Sequence, residues 1–148
     1  MKKLLIGILT LSLFFLFTSV VLASFGVSLS GPFKIFLGEV KPNKNYDIAI
    51  FWIGNPGDQY GCYKMNVSYF QDQPEKRIPS QWIVYNPLEF CLNPGEWQRV
   101  ETDLFIQPKY QLDQGLKGNY FSFLEACTYQ GSFGACAASK LYFTINGN

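Results

Sequence analysis

The chain has 148 residues with 12 basic and 11 acidic side chains, a formal net charge of +1 and no histidine. That length suits one domain. Near neutrality, with the basic residues scattered singly, argues against nucleic acid or anionic lipid as a partner. The missing histidine removes imidazole-based triads and most catalytic zinc sites.

Lys2 and Lys3 precede an apolar run over residues 4–23, ending in Val21-Leu22-Ala23 with small or branched residues at the −3 and −1 positions of a cleavage site. This is the pattern of a signal peptide over residues 1–23, with an uncleaved N-terminal anchor as the alternative. Either way residues 24–148 form the domain and lie outside the cytoplasm. Cleavage would leave 148 − 23 = 125 residues with a charge of 10 − 11 = −1.

The domain shows almost no helical period. Short runs of β-branched and aromatic residues alternate with Pro, Gly, Asn and Asp clusters, and aromatics make up 18% of the chain. That is the signature of an all-β domain. Residues 25–29 are read as a short first strand broken at Gly31-Pro32, and residues 33–40 as a second or as the same edge strand resumed. In residues 46–53, Tyr46, Ile48, Ile50 and Trp52 share one face, and Ala49, Phe51 and Ile53 the other. The expectation is a central strand covered on both sides. Residues 62–70 place Tyr63, Met65, Val67 and Tyr69 in the core and Lys64, Asn66 and Ser68 in solvent. Residues 81–85 and 88–92 are short strands or an irregular connection. Residues 97–106 point Val100, Thr102, Leu104 and Ile106 inward and Arg99, Glu101 and Asp103 outward. Residues 120–128 and 136–145 close the series.

Lys41-Pro42-Asn43-Lys44 and Asn93-Pro94-Gly95-Glu96 place Pro second and Asn or Gly third, as a type II turn requires. Asn55-Pro56-Gly57-Asp58 supplies a further turn. About seven strands at this spacing fit a two-sheet antiparallel sandwich of the immunoglobulin-like kind.

Further residues carry a resemblance: Val40-x-Pro42, Tyr46-x-Ile48-x-Ile50, Asn55-x-Gly57-Asp58 and Ser80-x-Trp82-Ile83. Phe90-x-Leu92-x-Pro94-Gly95-Glu96, Val100, Ile106-x-Pro108 and Gly118-x-Tyr120 continue it. In order and spacing the chain resembles the immunoglobulin-like modules of prokaryotic, especially archaeal, secreted and cell-surface proteins. The resemblance implies a non-catalytic scaffold or adhesion role. It departs at the cysteines, because residues 46–53 contain none and the inter-sheet disulfide of antibody domains therefore has no equivalent.

Four cysteines in an exported chain favour two disulfides. If Tyr120, Ser122, Leu124 and Ala126 face the core, Cys127 faces out. If Leu141, Phe143 and Ile145 do, so does Cys136. Pairing them predicts Cys127–Cys136, with Phe121 opposite Tyr142 and Phe123 opposite Lys140, and leaves Cys62–Cys91 by elimination. With no C-x-x-C and no histidine, neither a metal nor a redox-active pair is expected, and no cofactor.

The same register gathers Phe121, Phe123, Tyr142 and Lys140 on the outer face, as a partner surface or beneath a covering loop such as 129–133. Asn66-Val67-Ser68 makes Asn66 the glycosylation acceptor. Glu101 and Asp103 are the one close carboxylate pair on a strand face, beside Arg99, and read as a charged exterior.

The leading function is a non-catalytic extracellular module, a structural or adhesive part of a cell-surface assembly or filament, with a protein partner or self-association. One form of self-association is exchange of the first strand between copies, hinged at Gly31-Pro32. The alternative is a carbohydrate-binding module drawing on Trp82, Trp97 and Tyr85 for polysaccharide, although the resemblance places Trp82 in the core and leaves Trp97 exposed beside its turn. A membrane enters only through an uncleaved N-terminal segment.

Overall fold

The computed structural model describes residues 26–107, 114–129 and 134–146. The signal or anchor segment, Phe25 and most of the 129–133 stretch lie outside them.

Among the described residues, ten strands build two facing sheets. They are β1 (Ser28–Ser30), β2 (Lys34–Glu39), β3 (Asn45–Gly54), β4 (Gly61–Ser68), β5 (Lys76–Arg77), β6 (Ile83–Asn86), β7 (Glu89–Leu92), β8 (Trp97–Phe105), β9 (Gly118–Thr128) and β10 (Cys136–Ile145). One sheet has the order β1-β3-β8-β6; the other runs β2-β10-β9-β4-β7, with β5 added beside β9. The architecture is the expected immunoglobulin-like sandwich.

The core lies between the sheets. Phe51, Ile53, Val100 and Leu104 come from the four-stranded sheet, and Tyr63, Met65, Leu124, Leu141 and Phe143 from the six-stranded one. Tyr120 stacks on Phe143, with centroids 5.0 Å apart, and meets Trp82 at 5.6 Å. The predicted alternation of β8, β9 and β10 holds, with Phe121 the one outward residue of these strands that is nevertheless buried. Both Pro-led turns form as read, with positive φ at Asn43 (61°) and Gly95 (79°). The Glu96 N–H closes the second onto the Asn93 carbonyl at 3.1 Å.

Three expectations need correction. First, residues 25–40 are not one edge strand. β1 pairs with β3 in one sheet, and after Gly31 the chain crosses to the other, where β2 runs parallel to β10. Gly31 has φ 154°, a backbone that suits glycine, and a Cβ there would lie 2.8 Å from the Phe51 ring. The β2–β10 pairing is parallel, as is the short β5–β9 pair. The sandwich is thus mostly rather than wholly antiparallel.

Second, β3 is central but not covered on both faces. An irregularity between Asp47 and Ala49 shifts its register against β8. One extra residue reverses the alternation. Tyr46 points inward before it, Ile48 at it and Phe51 and Ile53 after it, and Ile50 and Trp52 are left in solvent. Third, Tyr69 lies beyond the end of β4 and is exposed, because the chain turns off the sheet at Ser68.

Candidate functional site

The outer face of the six-stranded sheet carries the residues singled out from the sequence. Alternation that buries Tyr120, Ser122, Leu124 and Ala126 must turn Phe121, Phe123, Glu125 and Cys127 outward. Pairing brings Tyr142 opposite Phe121, Lys140 opposite Phe123 and Cys136 opposite Cys127, as expected. Both predicted disulfides are formed, Cys62–Cys91 and Cys127–Cys136, with Cα separations of 4.0 and 4.1 Å. Each joins directly opposed residues on adjacent strands. Glu125 lies within 4.8 Å of the Cys127 and Cys136 sulfurs, but sulfurs bonded to each other offer no thiolate to a metal.

β2 enlarges this face. Its parallel register sets Phe36 beside Tyr142 and Lys34 beside Lys140. Phe36, Tyr142 and Phe121 then form a row of stacked rings, with successive centroids 5.1 and 4.7 Å apart. The two lysines would repel each other across the strands. Aromatic π-faces offset this: Lys34 Nζ sits 4.5 Å from the Phe36 centroid and 5.0 Å from that of Tyr142, and Lys140 Nζ sits 5.3 Å from that of Phe33.

At the other end of the row the segment after β4 folds back. Phe70 meets Phe123 edge-on at 4.9 Å and Phe121 at 6.2 Å. Gln73 pins the segment, its side-chain amide donating to the Phe121 carbonyl at 2.9 Å while its oxygen accepts from the Phe70 N–H at 3.1 Å. Phe121 is therefore only 3% exposed, and its cover comes from Phe70 and the following loop. Between that loop and the ring row lies a groove of about 450 Å³, bounded by Asp72 and Glu75 on the loop, Lys140 on the sheet, and the rings of Phe121 and Tyr142. Phe36 is 66% exposed, and Phe33 and Phe70 are similarly open. The sequence assigns no faces to residues 33–40; the burial of Ile35 turns Lys34 and Phe36 outward, and their place beside Tyr142 needed the crossing between sheets.

Asn66 is on the same face, opposite Glu125 on β9. The buried phenol of Tyr85 donates to the Asn66 carbonyl at 2.9 Å, and burial, followed by the charge of Glu125, pushes that phenol well above its usual range. Tyr85 thus packs inward, and Trp82 is 1% exposed in the core, so two of the three aromatics read as a sugar platform are unavailable. Trp97 is exposed as expected, and Trp52, freed by the irregularity in β3, joins it on the outer face of the four-stranded sheet.

On that face Glu101 binds Arg99 in an ion pair. Asp47 lies opposite Asp103. Desolvation, then the adjoining Asp47 and Glu101 carboxylates, hold the Asp103 carboxyl above its usual range.

The fold is similar to an ASH/PapD-like domain of human CEP192, at 11% identity and a TM-score of 0.55, over 82% of this chain and 86% of that one. It is also similar to the E. coli chaperone DraB (12% identity, TM-score 0.52). The Salmonella enterica SafA pilin in complex with the SafB chaperone gives 13% identity and a TM-score of 0.53. For both bacterial structures 83% of this chain is covered, and it spans 56% of the matched chain. Searches with family models and against curated sequences return no match. Identities this low establish the fold: a PapD-like, immunoglobulin-like β-sandwich.

Proposed function

We propose that this protein is a non-catalytic, disulfide-stabilised module of an extracellular or cell-envelope assembly, and that it binds another protein through the outer face of its six-stranded sheet. The observation that carries this reading is the stacked row Phe36–Tyr142–Phe121, flanked by Lys34 and Lys140 and left open at Phe36. Exposed rings in a connected patch favour a partner that buries them, and aromatic side chains are enriched at protein interfaces. Two disulfides fit an oxidising compartment, in keeping with residues 1–23 as an export signal or anchor. PapD-like structures that include a pilin–chaperone complex support a protein partner. The role assigned is structural or adhesive.

A photo-cross-linking amino acid at position 36, in intact cells, tests the reading. The expected result is one discrete protein adduct, lost in the Phe33→Ser variant, which removes the exposed ring over which Lys140 sits. A cross-linker at the exposed Lys44 should give none. Equal, diffuse labelling from both positions would remove the sheet face from consideration.

A further inference from the structure

We propose that the outer face of the four-stranded sheet is a second binding surface, a stacking platform on which Trp97 and Trp52 hold pyranose rings of a neutral polysaccharide. It does not rest on the aromatic row of the other sheet.

Trp97 lies directly across from Gly54. A Cβ built on Gly54 would meet the indole Cδ2, Cε2 and Cε3 at 2.7, 2.7 and 2.8 Å. Near-equal distances to three atoms of the fused ring system mean that the indole lies face-down on the glycine. Its opposite face therefore looks into solvent, and the residue is 51% exposed. A flat, outward π-face is what the C–H side of a sugar ring requires, since the ring face carries negative quadrupole density and the C–H edge positive.

Covering a glycine accounts for Trp97 but not for Trp52. That side chain is 46% exposed on the same face, two residues along β3 from Gly54. The two indoles are diagonal neighbours, with Cα atoms about 7–8 Å apart, so one extended ligand can touch both. Polar groups flank the pair. Ser28 lies beside Gly54 and Ser30 beside Trp52 on β1, and Arg99 lies beside Trp52 on β8.

The rest of the face selects between occupants. Ile50 is set against Glu101 and Val84 against Asp103, so the apolar side chains are interleaved with carboxylates. A dry protein interface would strand Glu101, Asp103 and Asp47 away from water at considerable cost. A hydrated glycan leaves them wet. Charge points the same way. Arg99 is already held by Glu101, and the carboxylates of Asp47 and Asp103 lie opposite each other on the same face, so an anionic chain would be repelled.

Affinity electrophoresis of the exported protein through gels containing hydroxyethyl cellulose, mannan or glycogen tests the proposal. Retardation is expected in at least one of these, together with a blue shift of tryptophan emission. Trp97→Ala and Trp52→Ala should each weaken binding about tenfold, the loss of one stacked ring. Trp97→Phe, which keeps a ring, should retain part of it, and Phe36→Ser all of it. Mobility unchanged in every gel would overturn the proposal. So would retardation that survives the double Trp52→Ala/Trp97→Ala variant, or a dimer dispersed by that variant, which would assign the face to a second copy.

Discussion

Replacing Cys62 and Cys91 together by alanine removes a link that closes a loop of sequence separation 29; replacing Cys127 and Cys136 removes one of separation 9. In the chain-entropy description a cross-link stabilises by shrinking the unfolded ensemble, at about 3.6 kcal/mol for the longer loop and about 2.6 kcal/mol for the shorter. Packing adds slightly in the same direction, because Cys62 is buried and Cys127 half-buried, while their partners Cys91 and Cys136 are both exposed. Urea denaturation followed by intrinsic fluorescence measures both. At a slope of about 1.75 kcal/mol/M the midpoint should fall by roughly 2 M for the first pair and roughly 1.5 M for the second. Both variants should also show a steeper slope than the parent, since an unlinked denatured chain exposes more surface. If the Cys127/Cys136 variant loses as much as the Cys62/Cys91 variant, or more, loop length does not set the ranking. Alkylation of either pair in the parent protein before reduction would refute the pairing itself.

Stability should fall steeply above pH 10. There the unfolded chain's phenols ionise at their usual value of 10.0, while that of Tyr85, raised by burial and then by Glu125, keeps its proton in the folded state. The contribution is complete below the unfolded value and shrinks as pH rises past it. Tyr63 and Tyr120 act in the same sense through burial. Tyr85→Phe should therefore flatten the decline of the denaturation midpoint between neutral pH and pH 11; an unchanged slope would count against it. Intact mass of the protein from its native host should exceed the polypeptide mass by a glycan that disappears in Asn66→Gln, and a host-derived protein of bare polypeptide mass would dismiss modification at Asn66.

Where side chains simply alternate, the sequence was sufficient. Inward Val100, Leu104, Leu124, Leu141 and Phe143 forced their neighbours outward, and that parity alone brought Cys127 to Cys136 and Phe121 to Tyr142. Positive φ at Asn43 and Gly95 was readable from the preceding prolines. Elsewhere the decisive event had no residue signature. The extra residue between Asp47 and Ala49 leaves no mark in composition, yet it sends Trp52 and Ile50 into solvent. The crossing at Gly31 depends on which edge is free in three dimensions, so Phe36 could not be set beside Tyr142. Phe70 covers Phe121 only because Gln73 folds a loop back, a contact across 48 residues of chain. Tyr85 reads as an amphipathic surface aromatic until Asn66 offers its carbonyl.

The parallel union of β2 and β10 bears on how this molecule would behave under tension. When opposite flanks of the domain are drawn apart, two strands lying side by side in the same direction must slide past one another. The contacts from Lys34 to Glu39 against Lys140 to Thr144 then carry the load simultaneously instead of opening one after another. Rupture under force is a matter of unfolding rate rather than of equilibrium, and such an arrangement resists it while the paired cysteines hold the hairpin behind it closed.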